Sequence, residues 1–377
     1  MLIYSLVFFL AVVLLLLSLL IQKRYFRNVL AVLPLIILSL VTGTRYYMGG
    51  YDIYNYANTF NMTPYLGNFH LWNTFKSEGF FGAEIGYKFI NSLVKSLGFN
   101  FFGFTLIVSI FFYICVYVGL SKFTENMNLV IVVLMYKAFL GLTFVYMRQC
   151  ITVGIFLLAI KYIYKSKPIK YIVLILVAAT IHFAAIFLLP FYFLKFIKLT
   201  RKGIILFSVI FTFSFLISLL NIDLLSHLHV LSGFFSDAGQ EKLDSVAGGN
   251  SLYQGRTNIL HLGEFLVLDG FLILNFDKIK LDEKKDLMIK LFLSVLPFYS
   301  LFANEGILVR MPFYFLLAYA LVIEYIVDKK NISIKLLVYA TVAMISFIGM
   351  YKYAAQFDAG AMFVYKSFLE YNLSIFS

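Results

Sequence analysis

Long apolar runs, separated by short charged or turn-forming stretches, dominate the chain. They lie at about 2–21, 28–44, 101–120, 128–146, 149–165, 170–198, 203–220, 263–277, 287–304, 307–327 and 334–353. Most of them approach the roughly 20 residues that a helix needs to cross the hydrocarbon core of a bilayer. Because lipid offers no hydrogen bonds to a backbone, such segments must be helical. The pattern predicts an all-α, polytopic integral membrane protein.

The run at 170–198 is too long for one ordinary crossing, and His182 lies near its middle. If this run crosses once, the basic cluster at 195–202 falls outside and every later loop inverts. If it is a hairpin that turns near His182, twenty of the 31 basic residues lie on one side in short loops. The positive-inside rule favours the hairpin. We therefore predict about twelve crossings in a single domain, 1–377, with both termini outside.

Two segments on the outward side of this topology are long, 45–100 and 221–262. The first ends in an amphipathic stretch that begins near Glu84. Long loops between compact elements usually carry function. The inside loops have at most about a dozen residues, which leaves no room there for an ATPase or nucleotide-sugar domain.

Composition agrees with a membrane protein, since 62% of the 377 residues are hydrophobic and only 13% are charged. An ordinary soluble domain has roughly half and a quarter, respectively. The formal charge of +12 is explained by the basic inside loops, so it does not indicate a nucleic-acid partner. Cys115 and Cys150 both lie in apolar runs and are expected to be small buried hydrophobes.

Arginine is scarce, with seven residues against 24 lysines. Topology explains three of them, and the other four lie on the outward side or at outer helix ends: Arg45, Arg148, Arg256 and Arg310. The planar guanidinium fork matches phosphate oxygens better than an ammonium does. A single arginine at such a place often only snorkels to the interface. The four together favour an anionic ligand.

The segment 42–56 combines glycines, tyrosines and two charges. Arg45 is a candidate phosphate donor, and Asp52 is a candidate base or hydroxyl partner. Five tyrosines of this segment offer flat faces with polar tips that suit sugars: Tyr46, Tyr47, Tyr51, Tyr54 and Tyr56. An interfacial aromatic belt explains most of them equally well.

Two further titratable residues are candidates for catalysis. Glu84 either caps an interfacial helix or takes part in the chemistry. His182, at the turn of the hairpin, either packs through a hydrogen bond or acts as a general base. Lys137 lies inside a crossing, and the sequence does not name its partner. No metal or cofactor site is predicted.

The specific motifs are a Gly-Thr-Arg segment followed by Asp52, Glu84-Ile-Gly-Tyr87, Met147-Arg148-Gln149, His182, and Arg310-Met-Pro. In these motifs, spread over about residues 30–325, the chain resembles the EpsG/Wzy-like family. Members of this family are polymerases of bacterial exopolysaccharide, capsule or O-antigen repeat units. A GT-C-like membrane glycosyltransferase architecture is compatible with the predicted helices.

The resemblance implies an enzyme of the bacterial cytoplasmic membrane whose active site faces outward. Its substrate would be an undecaprenyl-diphosphate-linked oligosaccharide, transferred onto another lipid-linked repeat unit. The residues implied for substrate binding are Arg45, Arg148, Gln149, Arg256, Arg310, Tyr51 and Tyr54. The base would be His182, Asp52 or Glu84. Expected partners, besides the lipid bilayer, are a chain-length regulator or a flippase of the same pathway.

Three other functions use similar features. A lipid-linked oligosaccharide transporter or flippase would use the same arginines without making a bond. An outward-facing polyprenyl-linked-sugar glycosyltransferase or ligase would share the leaving group and differ in its acceptor. A membrane acyltransferase would need a paired histidine in the membrane, and the sequence suggests no such partner for His182.

Overall fold

The computed structural model describes residues 1–70, 84–220, 259–303 and 308–376 of the chain. Within these ranges every regular element is a helix, apart from isolated β-bridges between Arg45 and Ser367 and between Phe99 and Phe376. The prediction of an all-α, polytopic membrane protein is confirmed.

The α-helices of the first half of the chain are α1 (Leu2–Ser18), α2 (Arg24–Leu30), α3 (Val32–Gly43), α4 (Tyr51–Met62), α5 (Ile85–Ser96), α6 (Phe101–Leu120), α7 (Met127–Leu134), α8 (Met147–Tyr164) and α9 (Pro168–Ile181). Those of the second half are α10 (Arg201–Leu219), α11 (Ile259–Asn275), α12 (Glu283–Leu293), α13 (Leu296–Tyr299), α14 (Ala318–Val327) and α15 (Ile332–Gln356). A π-helix, Met135–Val145, continues α7, and 3-10 helices cover Phe183–Phe196 and Leu308–Tyr314.

Local sequence explains where several of these helices begin. The side chain of Asn100 accepts hydrogen bonds from the backbone N–H groups of Phe102 and Gly103 at the start of α6. Thr200 does the same for α10 and Asp282 for α12. Each cap satisfies an N–H group that the helix itself leaves unpaired.

Seven helices in the described residues are long and apolar enough to cross a membrane, or eight if the bent pair Leu308–Tyr314 and Ala318–Val327 forms one crossing. Three shorter apolar helices accompany them: Leu2–Ser18, Pro168–Ile181 and Phe183–Phe196. The run 287–304, expected to be one crossing, covers most of the short helix α12 and all of the short helix α13. The count of twelve therefore stays a prediction, because it includes helices shorter than a full span.

The run 170–198 folds back on itself at His182. The hydroxyl of Tyr171, near the start of α9, donates to the backbone oxygen of Leu188 (2.7 Å), and its ring lies 5.7 Å from that of Tyr192. In a continuous helix Tyr171 and Tyr192, which are 21 positions apart, would lie about 30 Å from each other. The predicted hairpin is confirmed, with one α-helical and one 3-10 arm.

The two ends of the bundle contain the residues that the predicted topology assigns to opposite sides. Helix α6 connects these ends and is about 30 Å long. After its last residue, the oxygen of Ser121 accepts from Arg24. Before its first residue, Asn100 donates to the oxygen of Ser374. At the end where Ser121 lies, Arg24 also forms an ion pair with Glu125, and Lys285 forms one with Asp328. The ammonium of Lys329 donates to the backbone oxygen of Lys278. We call this the basic end. At the other end, called the outer end below because the predicted topology places it outside, the N–H of Tyr46 donates to the oxygen of Lys366 and the amino group of Met1 donates to the oxygen of Phe363.

The centre of the bundle is the almost fully buried α7 with its π-helical continuation. Helix α3 packs on α6, α6 on α8, and α8 on the hairpin, while α15 packs on the π-helix. Both predicted cysteine positions are free and buried. The fold thus gathers the start of α8, the hairpin turn and the described parts of the segment 45–100 at the outer end.

A partly buried ion pair joins the π-helix to α11. The ammonium of Lys137 pairs with the carboxylate of Glu264, which also accepts from the hydroxyl of Tyr136. The Lys137 nitrogen lies 4.2 Å from the centroid of the Tyr136 ring and 5.0 Å from that of Tyr319. Glu264 is the partner that the sequence could not name. It fastens the otherwise peripheral α11 to the core.

Candidate functional site

Glu84 is the centre of a cluster of charged side chains at the outer end. One of its carboxylate oxygens pairs with the Arg148 guanidinium, and the other lies 3.1 Å from Nδ1 of His182. Its backbone is left-handed, with φ 45° and ψ 50°. Such a conformation is costly for a residue with a side chain and persists only where surrounding contacts enforce it. Glu84, Arg148 and His182 form what we call the Glu84 cluster.

Three separate elements bring the Glu84 cluster together. Glu84 precedes α5, Arg148 is in the first turn of α8, and His182 is the extended residue at which the hairpin turns. Gly86 allows α5 to approach the end of α9 closely, because a Cβ there would collide with Oγ1 of Thr180. The motif Glu84-Ile-Gly-Tyr87 therefore combines a carboxylate with the close helix contact that aims it at His182.

Access to solvent differs within the Glu84 cluster. The exposed fraction of the side chain is 38% for Arg148, 15% for His182 and 9% for Glu84. The carboxylate is thus enclosed, and the arginine faces the open side. In the tautomer in which Nδ1 of His182 donates to Glu84, the lone pair on Nε2 is the site that accepts a proton. A carboxylate that orients a histidine in this way is the arrangement used for general-base catalysis.

Two tyrosines surround Arg148. Its guanidinium carbon lies 5.4 Å from the ring centroid of Tyr56 and 5.9 Å from that of Tyr87. The Tyr87 hydroxyl donates to the sulfur of Met147 (3.8 Å). Burial raises the pKa of both tyrosines, so both hydroxyls stay protonated and can donate hydrogen bonds. They also shield the arginine from bulk water.

The sequence predicted Tyr56 only as one of several tyrosines suited to sugars and Tyr87 only as part of the Glu84 motif, and it placed neither of them beside Arg148. A helical signal was nevertheless present. Tyr56 follows Asp52 by four residues on α4, and Tyr87 follows Glu84 by three, so each shares a face with an acidic candidate. The charges of Arg148, Asp52 and Arg310 all act on the Tyr56 hydroxyl. Half-buried Asp52 therefore lies at the edge of the same region.

Gln149 connects α8 to the 3-10 helix that contains Arg310. Its Nε2 donates to the backbone oxygen of Arg310 (2.7 Å), and the side chain of Gln149 is buried. The guanidinium carbon of Arg310 lies 4.3 Å from the centroid of the Tyr146 ring. Gln149 thus holds a second arginine next to the start of α8, where Arg148 lies.

Arg45, a predicted phosphate donor, lies in the interior of the protein. It is buried, its Nε donates to the oxygen of Met48 (3.1 Å), and Nη1 donates to the oxygen of Thr42. Its guanidinium carbon lies 5.3 Å from the centroid of the Phe144 ring. Donors that hold backbone oxygens in the interior stabilise the turn after α3, and a ligand at the surface does not reach them. The role of Arg45 in phosphate binding stays a prediction.

Tyr51 and Tyr54 lie on the exposed face of α4, whereas Tyr56 lies on its buried face. Tyr54 stacks on Tyr47 with the ring centroids 5.3 Å apart. The structure therefore does not bring these two predicted sugar contacts to the Glu84 cluster. Arg256, the remaining predicted phosphate ligand, lies outside the described residues.

Comparison with known proteins places the chain in a family. The model of the EpsG family matches residues 28–373. The chain belongs to the EpsG family. Membership in the EpsG family indicates a polysaccharide polymerase in general. No curated protein and no solved structure matches the chain.

Proposed function

We propose that the protein polymerises a polysaccharide at the outer face of the bacterial cytoplasmic membrane. It would transfer an undecaprenyl-diphosphate-linked glycan onto another lipid-linked repeat unit and release undecaprenyl diphosphate. The observation that carries the proposal is the Glu84 cluster, found in an EpsG-family chain at the bundle end opposite the basic loops. Cations, an oriented histidine and lipid-accessible helices are what this reaction requires.

In the proposed step, a hydroxyl of the acceptor sugar attacks the anomeric carbon of the donor glycan. A new glycosidic C–O bond forms as the bond from that carbon to the diphosphate oxygen breaks. Nε2 of His182 takes the hydroxyl proton, and Glu84 stabilises the resulting imidazolium. The Glu84–His182 hydrogen bond supports His182 as the base. Glu84 then acts by positioning His182. Asp52 acts at the rim of the site.

The charge that develops on the leaving diphosphate needs fixed cations. Arg148 faces the open side of the Glu84 cluster, and Gln149 holds Arg310 beside it. Donors fixed in advance stabilise a developing anion without the cost of reorganisation. We assign diphosphate binding to these two arginines, and Arg256 stays a predicted third ligand.

Reconstitution tests the proposal. Purified protein in liposomes with lipid-linked repeat units is expected to produce a ladder of polymers, and Arg148→Lys to abolish it at an unchanged protein level. Arg201→Lys is a matched control, because Arg201 forms an exposed ion pair with Asp277 at the opposite end (3.0 Å). A normal ladder from Arg148→Lys would overturn the assignment. Translocation of the lipid-linked unit without a ladder would establish a flippase instead.

A further inference from the structure

Four tyrosine rings form a continuous row across the outer end. The ring centroids of Tyr371 and Tyr46 lie 4.3 Å apart, those of Tyr46 and Tyr47 5.0 Å, and those of Tyr47 and Tyr54 5.3 Å. The residues at the two ends of this row, Tyr54 and Tyr371, are 53% and 48% exposed. This tyrosine row connects α4 to the C-terminal segment and presents aromatic surface to solvent.

Backbone hydrogen bonds hold the tyrosine row in place. The N–H of Tyr46 donates to the oxygen of Lys366 (2.9 Å), and the N–H of Phe368 donates to the oxygen of Thr44 (3.0 Å). The Phe368 ring stacks on that of Phe102 with a centroid distance of 4.9 Å. Residues far apart in the chain are thus fixed before any ligand arrives, which reduces the ordering cost of binding.

The exposed face of α4 adds hydrogen-bonding groups to the tyrosine row. Its exposed residues carry no charge: Tyr51, Tyr54, Asn55, Asn58, Asn61 and Met62. A solvated helix face normally contains charged residues. Tyrosine combines an apolar ring face with a polar tip, and asparagine both donates and accepts hydrogen bonds. An interfacial aromatic belt would explain the tyrosines, but not three asparagines on the same face.

We propose that the tyrosine row and the exposed face of α4 bind the glycan chain at a surface separate from the Glu84 cluster. This inference rests on the proposed function, since it extends the path of the same substrate. Helix α4 connects the two sites, because Tyr56 lies at Arg148 while Tyr54 belongs to the row. Saccharide rings are recognised through their C–H faces and hydroxyls, and a chain whose end is at the cluster continues across α4.

A binding experiment on lipid-free glycan tests the surface without requiring catalysis. The probe is cell-surface polysaccharide from the strain that carries the gene, partially hydrolysed and titrated calorimetrically into the purified protein. We expect the double variant Tyr54→Ala/Tyr371→Ala to bind about tenfold more weakly, from the loss of two aromatic contacts. Tyr54→Phe is expected to bind normally. Tyr65→Ala is the matched control, since Tyr65 is also 53% exposed but contacts Lys95 outside the row.

Two outcomes would overturn the proposal of a glycan-binding surface. One is an unchanged glycan affinity of the double variant, and the other is an absence of glycan binding by the unaltered protein. A double variant that loses only thermal stability in lipid, with normal glycan affinity, would leave an interfacial belt as the role of the row. In the liposome assay the double variant is expected to make shorter chains while Arg148→Lys makes none. Glycan binding that depends on the row in a protein without polymerase activity would refute the proposed function and leave the surface standing.

Discussion

Gly86→Ala is the most direct perturbation of the geometry that unites the Glu84 cluster. An added Cβ would lie 3.0 Å from Cβ of Thr180 and 3.1 Å from Cγ1 of Ile181, and closer still to Oγ1 of Thr180. Carbon atoms ordinarily approach to about 3.5–4.0 Å. Helices α5 and α9 must therefore separate by roughly 0.5–1 Å.

That separation acts on the two residues that flank the contact. The Glu84–His182 distance of 3.1 Å would rise to about 3.6–4.1 Å, beyond hydrogen-bonding range. Overpacking costs about 1–3 kcal/mol of stability. A displacement of about 1 Å in a catalytic group can reduce the rate roughly a hundredfold. We expect Gly86→Ala to fold and to lose most of its activity.

The assay is ladder formation in liposomes, normalised to folded protein. Gly67→Ala is the control, because a Cβ at Gly67 meets no atom within 4 Å. Adding Thr180→Ala removes the closest obstacle and is expected to restore part of the activity of Gly86→Ala. Full activity of Gly86→Ala alone would refute the idea that the close contact of α5 and α9 aligns the cluster.

Three other predictions concern polar contacts elsewhere in the bundle and beside the site. Glu264→Gln leaves the buried ammonium of Lys137 without a counter-charge and should cost roughly 3 kcal/mol of stability, seen as a lower thermal midpoint in detergent. The double variant Lys137→Met/Glu264→Leu should recover most of that stability. An unchanged midpoint of Glu264→Gln would contradict the stabilising role of the ion pair. Gln149→Leu removes the donor to the oxygen of Arg310 and should reduce ladder formation about tenfold, the equivalent of roughly 1.4 kcal/mol, without reducing protein level. Arg45→Lys should lower thermal stability and leave the activity per folded molecule unchanged; selective loss of activity would return Arg45 to the substrate site.

The sequence predicted the helices well because burial in lipid imposes a strong hydrophobic signal. The hairpin at His182 followed from charge placement, which is a property of whole loops and needs no knowledge of contacts. The π-helix and the 3-10 arm left no such signal, since an apolar run has the same composition in all three helical forms. The sequence therefore did not show which apolar runs form full-length spans and which form shorter helices.

The candidate site was predicted in its residue types and only partly in its pairings. Glu84 and His182 are 98 residues apart, and no periodicity connects residues on different helices. The neighbours of Arg45 in sequence do not reveal that its donors turn inward to backbone oxygens. For Tyr51 and Tyr54 the type of side chain suggested sugars, but the helix face that separates them from Arg148 depends on how α4 packs.

The two arms of the hairpin have 14 residues each but unequal reach. The α-helical arm extends about 21 Å, and the 3-10 arm extends about 28 Å, because each of its residues rises further. The 3-10 arm therefore nearly matches the thickness of a hydrocarbon core, about 30 Å. The α-helical arm is shorter than that core. If both arms cross the membrane, as the predicted topology requires, the bilayer thins beside α9 or the turn lies below the outer surface. Hydrophobic mismatch would then set the depth of His182, and lipid acyl-chain length would be a variable that tunes the position of the proposed base.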